Sequence, residues 1–207
     1  MPFEQWLLLL ATCALGAMSP GPSLICVLQN AIAGGFRLGV KVSVAHASGV
    51  ALWACATILG IASISKTFPF LHNTLILLGA LYLIYMGLRS FASGLSGVEL
   101  SINGVESPKG RQAVRDGFFI AFLNPKLAVF FVALFSQFVD ANNSPIDSLV
   151  MVSTAAFVDA LWYILVTFIA SLSTFRNRLL RRIRYIDCFG GIVFIFVGVS
   201  VAVSWIK

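Results

Sequence analysis

Six apolar stretches separated by short polar connections fill most of this chain. They run roughly over 3–33, 40–64, 68–91, 116–139, 147–172 and 183–206. Each is long enough for the ~20 residues a helix needs to cross a bilayer. The pattern predicts an all-α membrane protein of six transmembrane helices. No room remains for a separate soluble domain, so 1–207 reads as a single transmembrane domain.

Two stretches carry proline breaks. The first segment, 31 residues long, contains Ser19-Pro20-Gly21-Pro22. As one straight helix it would run about 46 Å at ~1.5 Å per residue, against a hydrocarbon core of ~30 Å. Pro20 and Pro22 have no N–H, so the carbonyls of Gly16 and Met18 lose their helical donors. The fourth segment contains Asn124-Pro125-Lys126, where Pro125 frees the carbonyl of Ala121 in the same way. Broken helices are thus expected in spans one and four. A half-helix starting at Pro22 would point free amides and a positive dipole end at an anion. Unwound backbone is stable at membrane depth only where protein or a wet cavity satisfies it.

The two halves resemble one another. Gly79–Gly87 lines up with Gly190–Gly198 at an offset of 111, Ala51-Leu52-Trp53 with Ala160-Leu161-Trp162 at 109, and Pro20 with Pro125 at 105. An odd number of spans per half makes the second copy enter from the opposite face, which gives inverted repeats. Repeat one is placed at 1–92, a cytoplasmic linker at 93–115, and repeat two at 116–207. Matched interruptions in such carriers mark the binding site.

Composition agrees. Hydrophobic residues make up 59% of the chain and charged residues 11%, against roughly 25% charged in a soluble domain. The net charge of +6 is not a nucleic-acid patch. Eleven of the 14 basic residues fall in alternate connections, around Arg37 and Lys41, from Arg89 to Arg115, and from Arg176 to Arg184. That alternation is the positive-inside signal. It puts those loops in the cytoplasm and both termini outside. The start of the chain lacks the positive region of a secretory signal. Trp6 and Trp205 suit interfacial anchors, with membrane lipid as the surrounding partner. The four cysteines are solitary, with no metal-ligand or redox spacing, and no cofactor is expected.

Lys126 and Asp159 are the charges deepest in predicted spans, each costing roughly 2.5–3.5 kcal/mol at a helix centre. They either face a shared polar space or form a structural ion pair; Lys126 alone could also snorkel to an interface. Asp159, Tyr163 and Thr167 follow i, i+4, i+8 spacing and share one helix face, with Trp162 beside them. His46 in span two is a second candidate for carrying protons; the alternative is a cross-helix hydrogen bond. Asp187 reads as a partner for the neighbouring arginines. Ser43, Ala47, Ala51 and Cys55 form a small-residue stripe that suits close packing within the chain or a homodimer contact.

Met18-Ser19-Pro20-Gly21-Pro22 with Gly34-Gly35-Phe36-Arg37-Leu38-Gly39, the block Gly117–Lys126 with Phe135-Ser136-Gln137-Phe138-Val139, and the late glycines Gly190, Gly191 and Gly198 occur in order. Together they resemble the LysE/RhtB family of amino-acid exporters. Leu71–Ile76 and the surroundings of Trp162 are similar to its threonine and homoserine branch. The resemblance implies proton-driven efflux of an amino acid across the bacterial inner membrane. It assigns no residue roles.

The sequence therefore points to a secondary transporter, not an enzyme, for a small neutral amino acid. The substrate-binding candidates are Ser19, Pro20, Gly21, Pro22, Asn124, Pro125, Lys126, Asp159, Trp162 and Tyr163. Asp159 and His46 are the proton-coupling candidates. A soft-metal or other cation carrier is the alternative. It would favour clustered thiolates or carboxylates, where this chain offers one deep carboxylate.

Overall fold

The structure, a computed structural model, describes residues 1–96, 110–139 and 143–206, without the side chains of 173–183 and 205–206. The described residues form seven helices and no strand: α1 (Phe3–Met18), α2 (Pro22–Thr67), α3 (Pro69–Ser96), α4 (Gly110–Phe122), α5 (Pro125–Phe135), α6 (Pro145–Ser171) and α7 (Ser173–Ile206). Four stretches are long and apolar enough to cross a membrane: α2, α3, α6 and Arg184–Ser204 within α7. The pair α4 and α5, bent by 49°, would make a fifth.

Both expected breaks are present. α1 ends at Met18 and α2 begins at Pro22; α4 ends at Phe122 and α5 begins at Pro125. α1 alone is 16 residues, about 24 Å at ~1.5 Å per residue, too short for a ~30 Å core. α2 is 46 residues long but is not one rod. Gly35 sits at φ 76°, ψ 178°, a left-handed backbone that glycine adopts without strain. It divides α2 into 22–34 and 36–67. Helix also enters both ends of the stretch expected as the linker, since α3 runs to Ser96 and α4 starts at Gly110. The remainder, 97–109, lies outside the described residues, as do the side chains of the arginines from Arg176 to Arg182.

Small residues set the closest helix contacts, as expected where helices must approach without a hydrophobic driving force. α3 and α7 meet through Gly87 and Gly191; a Cβ on either would lie 2.6 Å from the other's carbonyl oxygen. α2 and α4 meet through Gly49 and Gly117, which face Ala121 and the Val42 carbonyl. α2 packs on α6 where Gly39 faces Thr167 and Ser43 Oγ lies 3.3 Å from Thr167 Oγ1. The small-residue stripe is thus used at its start within the chain, while Cys55 at its end is exposed. α1 is tied to α6 by the Met1 ammonium on Asp147 and by Trp6 Nε1 donating to Thr154 Oγ1 at 3.1 Å. Asp187 is 6% exposed and accepts from Ser90 Oγ on α3 at 2.9 Å, in the α3–α7 seam; most of the arginines expected as its partners have side chains outside the described residues.

Candidate functional site

The two breaks meet at one cavity. From the first come Ser19, Gly21 and Pro22, with Gly16 and Ala17 just before them; from the second come Asn124 and Lys126, with Phe130 a turn later. His46 and Val50 from α2 and Asp159 and Tyr163 from α6 complete the wall. The volume open to the centre of a water molecule is about 30 Å³. At roughly 10–15 Å³ per water it holds a few waters, and an amino acid enters only if the walls move.

Lys126 belongs to the second break but serves the first. Its Nζ donates to Ser19 Oγ at 2.8 Å and lies 4.0 Å from where a Cβ on Gly21 would sit. It does not pair with Asp159. Among the described residues the ion pairs are Met1–Asp147 and His46–Asp159. The lysine therefore holds its charge beside the start of α2.

That start is open. Gly21, the residue before α2, has no side chain to cap the helix. Ile25 N–H donates to the Gly21 carbonyl at 3.2 Å, but the first amides of α2, on Ser23 and Leu24, have no helical acceptor. With Lys126 alongside, they form a donor-rich corner suited to a carboxylate. The start of α5 is closed instead. Asn124 Oδ1 accepts from Lys126 N–H at 3.0 Å. Trp53 Nε1 donates to the Phe122 carbonyl at 2.8 Å, replacing the donor that Asn124 has taken. The Ala121 carbonyl freed by Pro125 accepts from Asn124 N–H at 3.3 Å.

The acidic side of the cavity is a buried pair. His46 Nδ1 lies 2.8 Å from Asp159 Oδ2, and their residues are 1% and 5% exposed. The Tyr163 ring packs edge-on to the imidazole with centroids 4.8 Å apart. One proton can sit on either partner, giving an imidazolium–carboxylate or an imidazole–carboxylic acid pair. The other ring nitrogen, His46 Nε2, is buried with no partner among the described residues.

Eight sequence candidates therefore share one wall: Ser19, Gly21, Pro22, His46, Asn124, Lys126, Asp159 and Tyr163. Pro20 and Pro125 make the breaks without lining the cavity. Trp162 packs against the core around Leu24, Val27 and Val166. Gly16, whose carbonyl the first break frees, also lines the cavity; sequence reading missed Cys13, Ala17, Ser23, Val50, Leu127, Phe130, Phe131 and Ala155. Phe130, four residues after Lys126 and so on its helix face, was within reach of pattern reasoning. Cys13 and Val50 carry no such signal.

Membrane-length apolar helices thus surround a small chamber whose wall carries both Lys126 and Asp159. The sequence profile of the LysE type translocator family matches residues 14–204, and the chain belongs to that family. The threonine efflux protein of Escherichia coli K12 is 28% identical over 194 residues, covering 90% of this chain and 92% of its own. The threonine efflux protein of Salmonella typhi is 26% identical over the same shares. An uncharacterized membrane protein of Haemophilus influenzae is 28% identical over 189 residues, covering 88% and 89%. No solved structure matches the chain.

Proposed function

We propose that this protein is a secondary transporter that exports a small neutral amino acid of the threonine or homoserine type across the bacterial inner membrane, driven by protons. The observation that carries the reading is the reach of Lys126 from one break to the other, with Asp159 on the same chamber. A zwitterion needs a donor-rich corner and an acidic partner together. Its carboxylate takes the Ser23 and Leu24 amides and the Lys126 ammonium; its ammonium takes Asp159. The side chain lies against Val50, Leu127 and Phe130, which suits a neutral group and offers no partner to a second charge. The threonine efflux relatives support the substrate class.

Six crossings follow if α2 is divided at Gly35 and each broken pair counts as one span. The helix pairing fits two inverted copies: α3 with α7, and the second part of α2 with α6, join corresponding spans. With Arg37, Lys41, Arg111 and Arg115 on one side, the positive-inside rule puts both termini in the periplasm. Alternating access then moves the two breaks about the fixed chamber.

Proton coupling rests on competition. The Asp159–His46 pair holds a proton when the chamber is empty, and the substrate ammonium displaces it. Proteoliposomes loaded with labelled threonine test this. Asp159→Asn is expected to lower export driven by a pH gradient by about tenfold or more, the worth of a charge-assisted bond. Full gradient-driven export by that variant removes Asp159 from the coupling role. Amino-acid profiles of cells with and without the protein identify the substrate.

A further inference from the structure

We infer that Trp53 and Trp162 are paired positioning residues, each holding the freed carbonyl of one break in one of two opposite-facing states. They occupy equivalent places, 109 residues apart in the two copies, each after Ala-Leu. Their indole groups are treated differently. Trp53 Nε1 donates to the Phe122 carbonyl at 2.8 Å, at the second break. Trp162 Nε1 is buried and has no partner among the described residues.

A buried N–H without an acceptor is a cost that folded proteins rarely carry. Here a matching acceptor exists in the other copy of the repeat. By the register of the prolines, 105 residues apart, Phe122 corresponds to Ala17. The helical donor for the Ala17 carbonyl would be Gly21 N–H, which lies past the end of α1. The corresponding donor for Phe122, Lys126 N–H, is taken by Asn124 Oδ1. Each break thus leaves a carbonyl at the same place, and each copy supplies one tryptophan. In this state only the second pair is made.

Exchanging the roles of the copies gives the opposite-facing state. There Trp162 closes onto the Ala17 carbonyl and Trp53 lets go of Phe122. One hydrogen bond is broken as another forms, so both states stay populated and neither traps the carrier. The inference rests on alternating access around the two breaks but not on the identity of the substrate.

The test uses the full chain with Cys13, which lines the cavity, kept as its one cysteine, in vesicles of known orientation. A membrane-impermeant maleimide is applied from each face, and the ratio of labelling rates reports the balance of states. Trp53→Phe and Trp162→Phe keep an aromatic ring and remove the N–H. They are expected to move the ratio in opposite directions by about fivefold each, the worth of one hydrogen bond, and the double variant to return near the starting ratio. Shifts in the same direction, or no shift, overturn the inference while leaving alternating access intact. Labelling from one face alone under every substrate and pH condition overturns alternating access and this inference with it.

Discussion

At the second break two loose ends are tied: Asn124 caps α5, and Trp53 takes the Phe122 carbonyl. At the first break Gly21 leaves the amides of α2 uncapped, and Trp162, the counterpart of Trp53, has no acceptor among the described residues. Two similar interruptions therefore differ: the helix that follows one is capped by a side chain, and the helix that follows the other is not. Lys126 joins them, anchored by its own amide at the closed break and offering its ammonium at the open one. Under the proposed duplication, two equivalent kinks were separated in role by a single cap residue.

Closing the open break is the sharpest way to destroy this difference. Gly21→Asp puts a capping carboxylate at the start of α2, beside Lys126, where the substrate carboxylate would sit. Export is expected to fall to background in proteoliposomes, while thermal stability in detergent rises by a few tenths to about 1 kcal/mol from the cap and the dipole. Gly21 has extended backbone, φ −178°, ψ −170°, so the substitution is unstrained. A gain in stability with export intact would show that the corner is not used.

Removing the charge comes next. Lys126→Met keeps a long, unbranched side chain and is expected to lower export about 100-fold, as loss of a charge-assisted bond of ~2–3 kcal/mol predicts. Ser19→Ala removes only the hydroxyl that holds the ammonium, and about a fivefold loss is expected. Opening the closed break has the smallest effect. Asn124→Ala leaves α5 uncapped, at a cost of about 1 kcal/mol in unfolding experiments, with substrate affinity changing less than in Lys126→Met. If Asn124→Ala weakened binding more than Lys126→Met, the roles of the two breaks would have to be exchanged.

Much of the fold was legible because bilayer thickness dictates helix length and proline dictates where helices end. The apolar stretches and both breaks followed from those two facts alone. The limits of the linker were less legible. Residues 110–115 are polar enough to look like loop, yet α4 already begins at Gly110. A cross-helix hydrogen bond was one of the two readings for His46 and is present, but its partner Asp159 was not foreseen, because the two lie 113 residues apart and periodicity reports only faces within one helix. For the same reason Asp187, next to arginines in sequence, found its partner Ser90 across a helix seam. The proline breaks were equivalent to the eye, since Asn124 and Ser19 before the first proline of each are comparable cap formers; the difference arises because α2 starts after Gly21, past the second proline-flanked step.

The location of a bound substrate carboxylate tests the central claim most directly. A structure of the protein with threonine is predicted to place that carboxylate within hydrogen-bond distance of the Ser23 and Leu24 amides and of Lys126 Nζ, with the ammonium at Asp159. A carboxylate seated instead at the start of α5, or a ligand bound away from both breaks, would contradict it.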